Sequence, residues 1–265
     1  MVIDSHQHVI LPTTTQIKMM EKAGIDKTIL FSTTPHPEKA NSLVELKNEL
    51  DCLNSNLSGS SMSKDIINII RNTTIELCNV IKENPDKFLG FCNIPLNLSY
   101  LEMSDWIEKY AIQNKLKGIG ELSPSTIEQA KLLDNVFKAA SDYSHFPLWI
   151  HTFNPVSLTE IKYLMELSIK YPNTPVIFGH FGGTNWMDVI EFAKKHNNIY
   201  LDLSAMYTTF APKIAMQELP EKCLYSSDAP YGDPLLSKQM IEALSPSKQI
   251  ASLVLSENIC NILDI

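Results

Sequence analysis

The first ten residues contain the pattern with the clearest chemical meaning. An apolar pair, Val2-Ile3, leads through Asp4-Ser5 into His6-Gln7-His8. Side chains two residues apart in an extended strand point to the same side. His6 and His8 would therefore present two imidazoles together at a strand end, which is the arrangement that one divalent metal ion needs. The alternative is a pair of unrelated histidines near the N-terminus.

Further ligand-type side chains occur where later apolar runs end. Taken singly, each has a structural explanation, such as a core histidine bonded to backbone or an aspartate that caps a helix. If the runs are strands of one parallel barrel, however, their C-terminal ends meet and these side chains converge. Four imidazoles and two carboxylates suit zinc best, with manganese or iron as alternatives. The predicted metal ligands are His6, His8, Glu121, His151, His180 and Asp228.

The elements that position these residues alternate between short apolar runs and amphipathic stretches. The predicted strands are Val2–His8, Lys27–Ser32, Phe88–Ile94, Leu116–Leu122, Pro147–His151, Pro175–His180, Asn198–Ser204 and Lys222–Asp228. The predicted helices are Leu43–Leu53, Lys64–Glu83, Leu101–Gln113, Ile127–Tyr143, Leu158–Tyr171, Trp186–Lys195 and Leu235–Ala243. Strands that alternate with helices predict a parallel sheet. Eight such units in 265 residues favour a single (β/α)₈ TIM barrel over residues 1–265 rather than an open sheet. Asn54–Ser63 is predicted to be a loop that joins two helices inserted between the second and third strands.

Composition excludes several classes of partner. A net charge of −8 disfavours nucleic acid and anionic membranes, and a single arginine, Arg71, makes an arginine clamp on phosphates hard to build. The five cysteines are scattered and never in Cys-x-x-Cys spacing, which indicates thiols in a reducing compartment. No apolar run has membrane-spanning length, and the N-terminus lacks a signal-peptide pattern. We therefore expect a cytoplasmic enzyme with a small-molecule substrate, in which a homodimer is a reasonable state.

Several short pieces along the chain together form the pattern of a known family: Asp4–His8, Gly118–Glu121, Ile150-His151, Gly179–Gly183, Leu201–Ser204, Ser227–Pro230 and Glu257-Asn258. Through these pieces the chain resembles the metal-dependent amidohydrolase superfamily, in particular its amidohydrolase-related (amidohydrolase 2) branch of hydrolases and decarboxylases. The resemblance implies that the histidines of the first, fifth and sixth strands and the aspartate of the eighth strand bind or face the metals. Many members carry a carboxylated lysine on the fourth strand. This chain has Glu121 there, as in the TatD-like deoxyribonucleases, whose Gly-Glu motif and short chain are also similar.

Two arrangements of the metal site remain open. With two ions, His6, His8 and Asp228 would hold one. His151 and His180 would hold the other, and Glu121 would bridge them. Water activated between the cations would then attack an ester, lactone, amide or phosphate, and Asp228 would accept its proton. With one ion on His6, His8, His151 and Asp228, His180 would be free as an acid or base, as in the decarboxylating members.

The sequence thus predicts a metal-dependent hydrolase that acts on a small ester, lactone or amide, with Asp228 and His180 as the catalytic residues. The alternatives are a mononuclear non-oxidative decarboxylase, a TatD-like phosphodiesterase and a metal-free barrel that only binds its ligand. Four further residues lie near the predicted strand ends. His36, Tyr207 and Tyr231 could contact substrate, although a loop histidine without a role and aromatic packing explain them as well. Asp202 is predicted to support a ligand rather than to bind metal.

Overall fold

A computed structural model describes residues 1–57 and 64–265, and within them eight parallel strands form a closed barrel. The strands are β1 Ile3–His8, β2 Lys27–Phe31, β3 Phe88–Gly90, β4 Ile119–Leu122, β5 Leu148–His151, β6 Val176–Gly179, β7 Ile199–Asp202 and β8 Cys223–Leu224. Hydrogen bonds join β1-β2-β3 and β4-β5-β6-β7-β8 in sequential order. Two parallel bridges close the ring, one from Gln7 to Ala229 and one from Cys92 to Ile119. The predicted (β/α)₈ barrel is confirmed.

Each connection between successive strands contains at least one helix, so the strands run parallel. The helices are α1 Thr13–Ala23, α2 Leu43–Leu57, α3 Lys64–Glu83, α4 Tyr100–Trp106, α5 Ile127–Ala140, α6 Leu158–Lys170, α7 Trp186–Ala193, α8 Phe210–Glu218, α9 Pro234–Leu244, α10 Lys248–Ser252 and α11 Asn258–Leu263. Local sequence sets several of their starts. At α6, for example, Ser157 and Glu160 form a reciprocal capping box. Among the described residues, no helix has the length and apolar character needed to cross a membrane.

The sequence-based assignment differs from the structure in three respects. It missed α1, α8, α10 and α11, although Gly24 provides a left-handed end for α1 with φ of 64°. Of the predicted loop Asn54–Ser63, residues 54–57 continue α2, where the Ser55 hydroxyl donates to the Asp51 carbonyl and so fits inside a helix. Residues 58–63 lie outside the described part of the chain. The regular part of the eighth strand is also shorter than predicted, because its pairing with β7 ends at Leu224, although the chain stays hydrogen-bonded to β1 as far as Ala229.

The interior of the barrel provides a rigid apolar base for the strand ends. Alternate residues of β5 face opposite ways: Leu148 and Ile150 pack towards the helices, while Trp149 belongs to a separate inner cluster. In that cluster the rings of Phe31 and Trp149 lie 5.2 Å apart between centroids. The His6 ring rests on both, at 4.6 Å from Phe31 and 5.4 Å from Trp149. The first predicted ligand is therefore packed against the core.

Candidate metal centre

All six predicted ligands converge at the C-terminal ends of the strands. They fall into two groups of three, and within each group the possible ligand atoms lie within 4.8 Å of one another. His6, His8 and Asp228 form the group that we call the β1–β8 group. Glu121, His151 and His180 form the β4–β6 group. An overlapping set joins His6 and His180 to Asp202.

The two histidines of β1 face the same side, as their spacing predicts, with ring centroids 5.3 Å apart. His6 is completely buried, and its Nδ1 lies 2.8 Å from Asp202 Oδ2. The same oxygen accepts a hydrogen bond from Trp149 Nε1 at 3.3 Å. Since Asp202 holds Nδ1, the other ring nitrogen, Nε2, is directed into the site. Asp202 thus orients His6, a predicted ligand, and is not itself the first choice as a ligand.

Glu121 lies between the two groups, and each of its oxygens faces one of them. Oε1 is 3.0 Å from His151 Nδ1 and 3.1 Å from His180 Nε2. Oε2 is 3.7 Å from His6 Nε2 and 3.8 Å from His8 Nε2. Burial alone would raise the pKa of this carboxyl, but the imidazoles of His6 and His151 hold it well below its usual range. Glu121 is therefore an anion that the two groups share.

The histidines of the β4–β6 group have partners on both ring nitrogens. His180 Nδ1 lies 2.8 Å from Ser204 Oγ, and its backbone N–H donates to Asp202 at 3.3 Å. His151 Nε2 lies 3.2 Å from the carbonyl oxygen of Asn154. Burial lowers the pKa of His180, but the nearby carboxylates, with Asp228 first, raise it more, so the net shift is upward. This group is internally hydrogen-bonded before any ligand binds.

Asp228 follows β8 in a left-handed backbone conformation, with φ of 57°. Its backbone N–H donates to the His6 carbonyl at 2.8 Å, which ties it to β1. Oδ1 lies 3.3 Å from His8 Nε2 and 3.7 Å from His6 Nε2. Oδ2 lies 4.0 Å from His180 Nδ1. The carboxylate therefore faces the β1–β8 histidines with one oxygen and the β4–β6 group with the other.

A buried carboxylate that sequence reasoning left without a role holds this corner together. Asp4 Oδ1 accepts from the Ser227 backbone N–H at 2.9 Å, and its Oδ2 accepts from Gln7 Nε2 at 2.7 Å. Gln7 in turn accepts from Gln16 Nε2 at 2.9 Å. Burial raises the pKa of Asp4 to about 6. Asp4 precedes the two histidines in the same motif, but its partners become visible only once β1 and β8 are adjacent.

The donor set fits a divalent cation. His6 Nε2 and Asp228 Oδ1 are buried, and no hydrogen-bond partner for either occurs among the described residues. An unsatisfied buried polar group costs about 1–3 kcal/mol, and two of them 3.7 Å apart could both contact one cation. Burial lowers the pKa of His6, but the Glu121 and Asp202 carboxylates raise it well above its usual value. The same negative charge attracts a cation, and imidazole with carboxylate suits zinc, manganese or iron.

A cavity of about 490 Å³ opens above these residues and is lined by five of the six predicted ligands. Tyr231 also lines it, with its ring 5.7 Å from that of His8. Tyr207 and His36 are outside the cavity lining. The His36 ring instead pairs with Glu38 at 2.9 Å. Of the four secondary candidates, Tyr231 faces the cavity and Asp202 supports His6.

Comparison with known proteins first identifies a family. A family model described as Amidohydrolase matches residues 76–261, which is more than half of the chain. No curated protein matches the sequence. The matched region contains β3 to β8 and hence Glu121, His151, His180 and Asp228.

Solved structures share the barrel over almost the whole chain. A 5-carboxyvanillate decarboxylase from Sphingomonas paucimobilis is similar, with a TM-score of 0.72 at 15% identity. The alignment covers 100% of this chain and 99% of the decarboxylase. An uncharacterised TIM-barrel protein from Bordetella bronchiseptica has a TM-score of 0.73 at 14% identity, and its alignment covers 99% of this chain and 98% of that protein. A dihydroxybenzoic acid decarboxylase from Polaromonas, with bound manganese, has a TM-score of 0.66 at 14% identity, and its alignment covers 99% of this chain and 96% of that protein. Likeness at this identity shows a common fold.

Proposed function

The chain belongs to the amidohydrolase family, and from the site that it builds on this fold we propose that it is a divalent-metal-dependent hydrolase. The proposed substrate is a small ester, lactone or amide. The observation that carries the proposal is Glu121, whose two oxygens face two separate groups of ligand-type side chains. A carboxylate in that position suits a pair of cations, and paired cations are typical of water-dependent displacement reactions.

Each ion has its own proposed ligands. His6, His8 and Asp228 would hold the first, His151 and His180 the second, and Glu121 would bridge them. When bound, such cations polarise the reacting carbonyl and lower the pKa of water. Zinc, which the donor set predicts, and manganese, which one similar structure holds, are both compatible with these side chains.

Asp228 is the residue best placed to move a proton. Its Oδ1 faces His8, which leaves Oδ2 on the side of His180. We assign to Oδ2 the task of accepting a proton from the attacking water and returning it to the leaving group. The backbone hydrogen bond to His6 and the left-handed turn at Asp228 hold the carboxylate in place for both roles.

A second candidate, a non-oxidative decarboxylase, is favoured by the similar structures, because two of the three reported above are decarboxylases. These comparisons support decarboxylation better than hydrolysis, whereas the position of Glu121 supports hydrolysis. The mononuclear ligand set expected for a decarboxylase joins His151 to the β1–β8 group. In the structure His151 Nδ1 instead contacts Glu121 and belongs to the β4–β6 group. If the decarboxylase candidate holds, His180 is the proposed proton donor.

The two candidates are separated by metal content and by the fate of water. Protein purified without chelators is analysed for metal and assayed in ¹⁸O-water against esters, lactones, amides and aromatic carboxylates. The hydrolase proposal predicts about two equivalents of metal and ¹⁸O in the product. One equivalent with release of CO₂ would establish the decarboxylase instead. Full activity of metal-free protein would contradict both.

A further inference from the structure

The cavity above the metal ligands has a wall whose chemistry defines a class of substrate. We propose that this cavity selects a small molecule with an apolar body and one uncharged oxygen acceptor, which Asn93 and Gln129 recognise by donating hydrogen bonds. This inference rests on the proposed function, since it takes the metal centre as the end of the cavity where the reaction occurs. Both side chains line the cavity, one after β3 and the other in α5.

Asn93 is held so that its amide nitrogen is available to a ligand. The backbone N–H of Ile94 donates to Asn93 Oδ1 at 2.7 Å. Because a backbone N–H can only donate, the side-chain oxygen has to face it, and Nδ2 is presented on the other side. The Asn93 carbonyl also accepts from Trp106 Nε1 at 3.0 Å, which fixes the backbone beneath. Within the described residues Nδ2 has no protein acceptor.

Gln129 has the same arrangement. Its Oε1 accepts from the Ser125 backbone N–H at 2.8 Å and from the Ser125 hydroxyl at 3.0 Å. These bonds use the oxygen, so the Nε2 donors remain, and the described residues offer them no acceptor. Two carboxamides from successive strand–helix connections therefore line one cavity and carry donors that no described residue uses. Donors fixed in this way favour a ligand with an acceptor and disfavour one that lacks it.

Apolar side chains supply much of the remaining wall. Ile66, Ile69 and Ile70 lie on one face of α3, at the spacing that brings helical side chains together. Ile69 is 38% exposed, and therefore retains apolar area that a ligand can cover. Leu53 of α2 and Phe153, after β5, also line the cavity. A cavity of about 490 Å³ with this lining suits an aliphatic or aromatic body of modest size.

The charge of the cavity lining disfavours substrates that carry several negative charges. Among the described residues that line the cavity there is no lysine or arginine, while Glu121 and Asp228 lie at its base. The only arginine of the chain, Arg71, donates to Asn68 on the same helix, α3. Within the described lining, a phosphate diester or a multiply charged carboxylate would therefore find positive charge only at the metal centre. This lining disfavours the TatD-like phosphodiesterase alternative.

The test uses hydroxamic acids as probes, because a hydroxamate chelates divalent cations and leaves the rest of the molecule to report on the wall. Three probes of equal length carry an alkyl end, a terminal methyl ketone or a terminal carboxylate. Their affinities for the manganese- or zinc-loaded protein are measured by titration calorimetry. We expect the ketone to bind about fivefold tighter than the alkyl probe, and the carboxylate about tenfold weaker.

Asn93→Asp and Gln129→Glu keep the oxygen that accepts the backbone N–H but remove the donor. Each variant should lose the preference for the ketone while binding the alkyl probe within about twofold of wild type. Gln113→Glu, an exposed site outside the cavity lining, is the matched control and should keep the preference. Retention of the preference in both cavity variants, or tight binding of the carboxylate probe, would overturn the inference alone. Failure of all three hydroxamates to bind metal-loaded protein would overturn the proposed function with it.

Discussion

The two halves of the metal centre differ in how far they are satisfied without a ligand. In the β4–β6 group, Glu121 contacts both histidines, and His180 and His151 have further partners in Ser204 and Asn154. In the β1–β8 group, His6 Nε2 and Asp228 Oδ1 are buried without a hydrogen bond. Unpaired buried atoms gain most from a cation, so we expect the β1–β8 group to bind the first ion and to bind it more tightly.

Replacement of Asp228 changes the β1–β8 group, whose buried atoms lack hydrogen bonds, and should have the largest effect on activity. Asp228→Asn keeps the shape and one acceptor oxygen but removes the charge and the basic site. We expect kcat to fall by about 10²–10⁴-fold with little change in KM, because a positioned proton acceptor is lost. Steady-state kinetics and the thermal midpoint are measured on the same protein. Asp233→Asn, which keeps a cap on α9, is the control, and normal turnover of Asp228→Asn would end the assignment.

Glu121→Gln tests the connection between the halves. A neutral amide holds two cations poorly, so the variant should lose about one metal equivalent and most of its activity. The ion of the β1–β8 group should remain. Metal analysis of variant and wild type, purified side by side, decides the matter. A wild-type count above one that is unchanged in the variant would rule out bridging.

Asp202 should have a smaller effect, because it acts on metal through His6. Asp202→Asn is expected to lower the affinity for the first ion by about 10- to 100-fold, which is the usual cost of losing a partner that orients a ligand. Competition with a chromogenic chelator measures the affinity, and the control is Asp134→Asn, an α5 residue outside the cavity lining that pairs with Lys170. An unchanged affinity would mean that packing on Phe31 and Trp149 is enough to orient His6.

Asp202 should also make the free energy of unfolding depend on pH. Burial would raise the pKa of Asp202, but hydrogen bonding and attraction from His6 lower it from 3.8 to about 2. A lowered pKa in the folded state means stabilisation that is complete above pH 3.8 and is lost as the pH falls towards 2. The metal-free wild type should therefore exceed Asp202→Asn in free energy of unfolding by about 2 kcal/mol at neutral pH. Urea titrations should show this difference shrinking below pH 4, and a constant difference would contradict the cause.

The smallest effect is expected in the satisfied half. Ser204→Ala removes the hydroxyl beside His180 Nδ1, while Glu121 still holds Nε2. We expect kcat/KM to fall by about two- to tenfold, the usual range for one neutral hydrogen bond. Ser204→Thr, which restores a hydroxyl, should recover part of the loss. A loss as large as that of Asp228→Asn would show that the β4–β6 group is not internally stabilised.

Sequence alone predicts the barrel and the convergence of the six ligands, because both follow from periodicity. His6, His151 and His180 stand at the ends of apolar runs, and parallel strands bring those ends together. The division into two groups does not follow, since it depends on which oxygen of Glu121 faces which ring. That orientation is set by packing between strands that are distant in sequence.

Supporting residues are harder to predict for the same reason. Asp4 contacts Ser227, which is 223 positions away in the sequence, and Asp202 contacts His6, which is 196 positions away. Asn93 and Gln129 carry no motif, and their amide donors are set by local backbone N–H groups. The missed helix α1, by contrast, carried an ordinary stop signal in Gly24.

The closure of the barrel between β1 and β8 also has a consequence for biosynthesis. His6 and His8 leave the ribosome well before Ser227 and Asp228, and the hydrogen bonds across this closure need the later residues. A nascent chain that stops before β8 therefore exposes two histidines without their carboxylate. High-affinity metal uptake should begin only when the last strand docks, so ribosome-bound chains of increasing length would show the cation binding as a late, abrupt step.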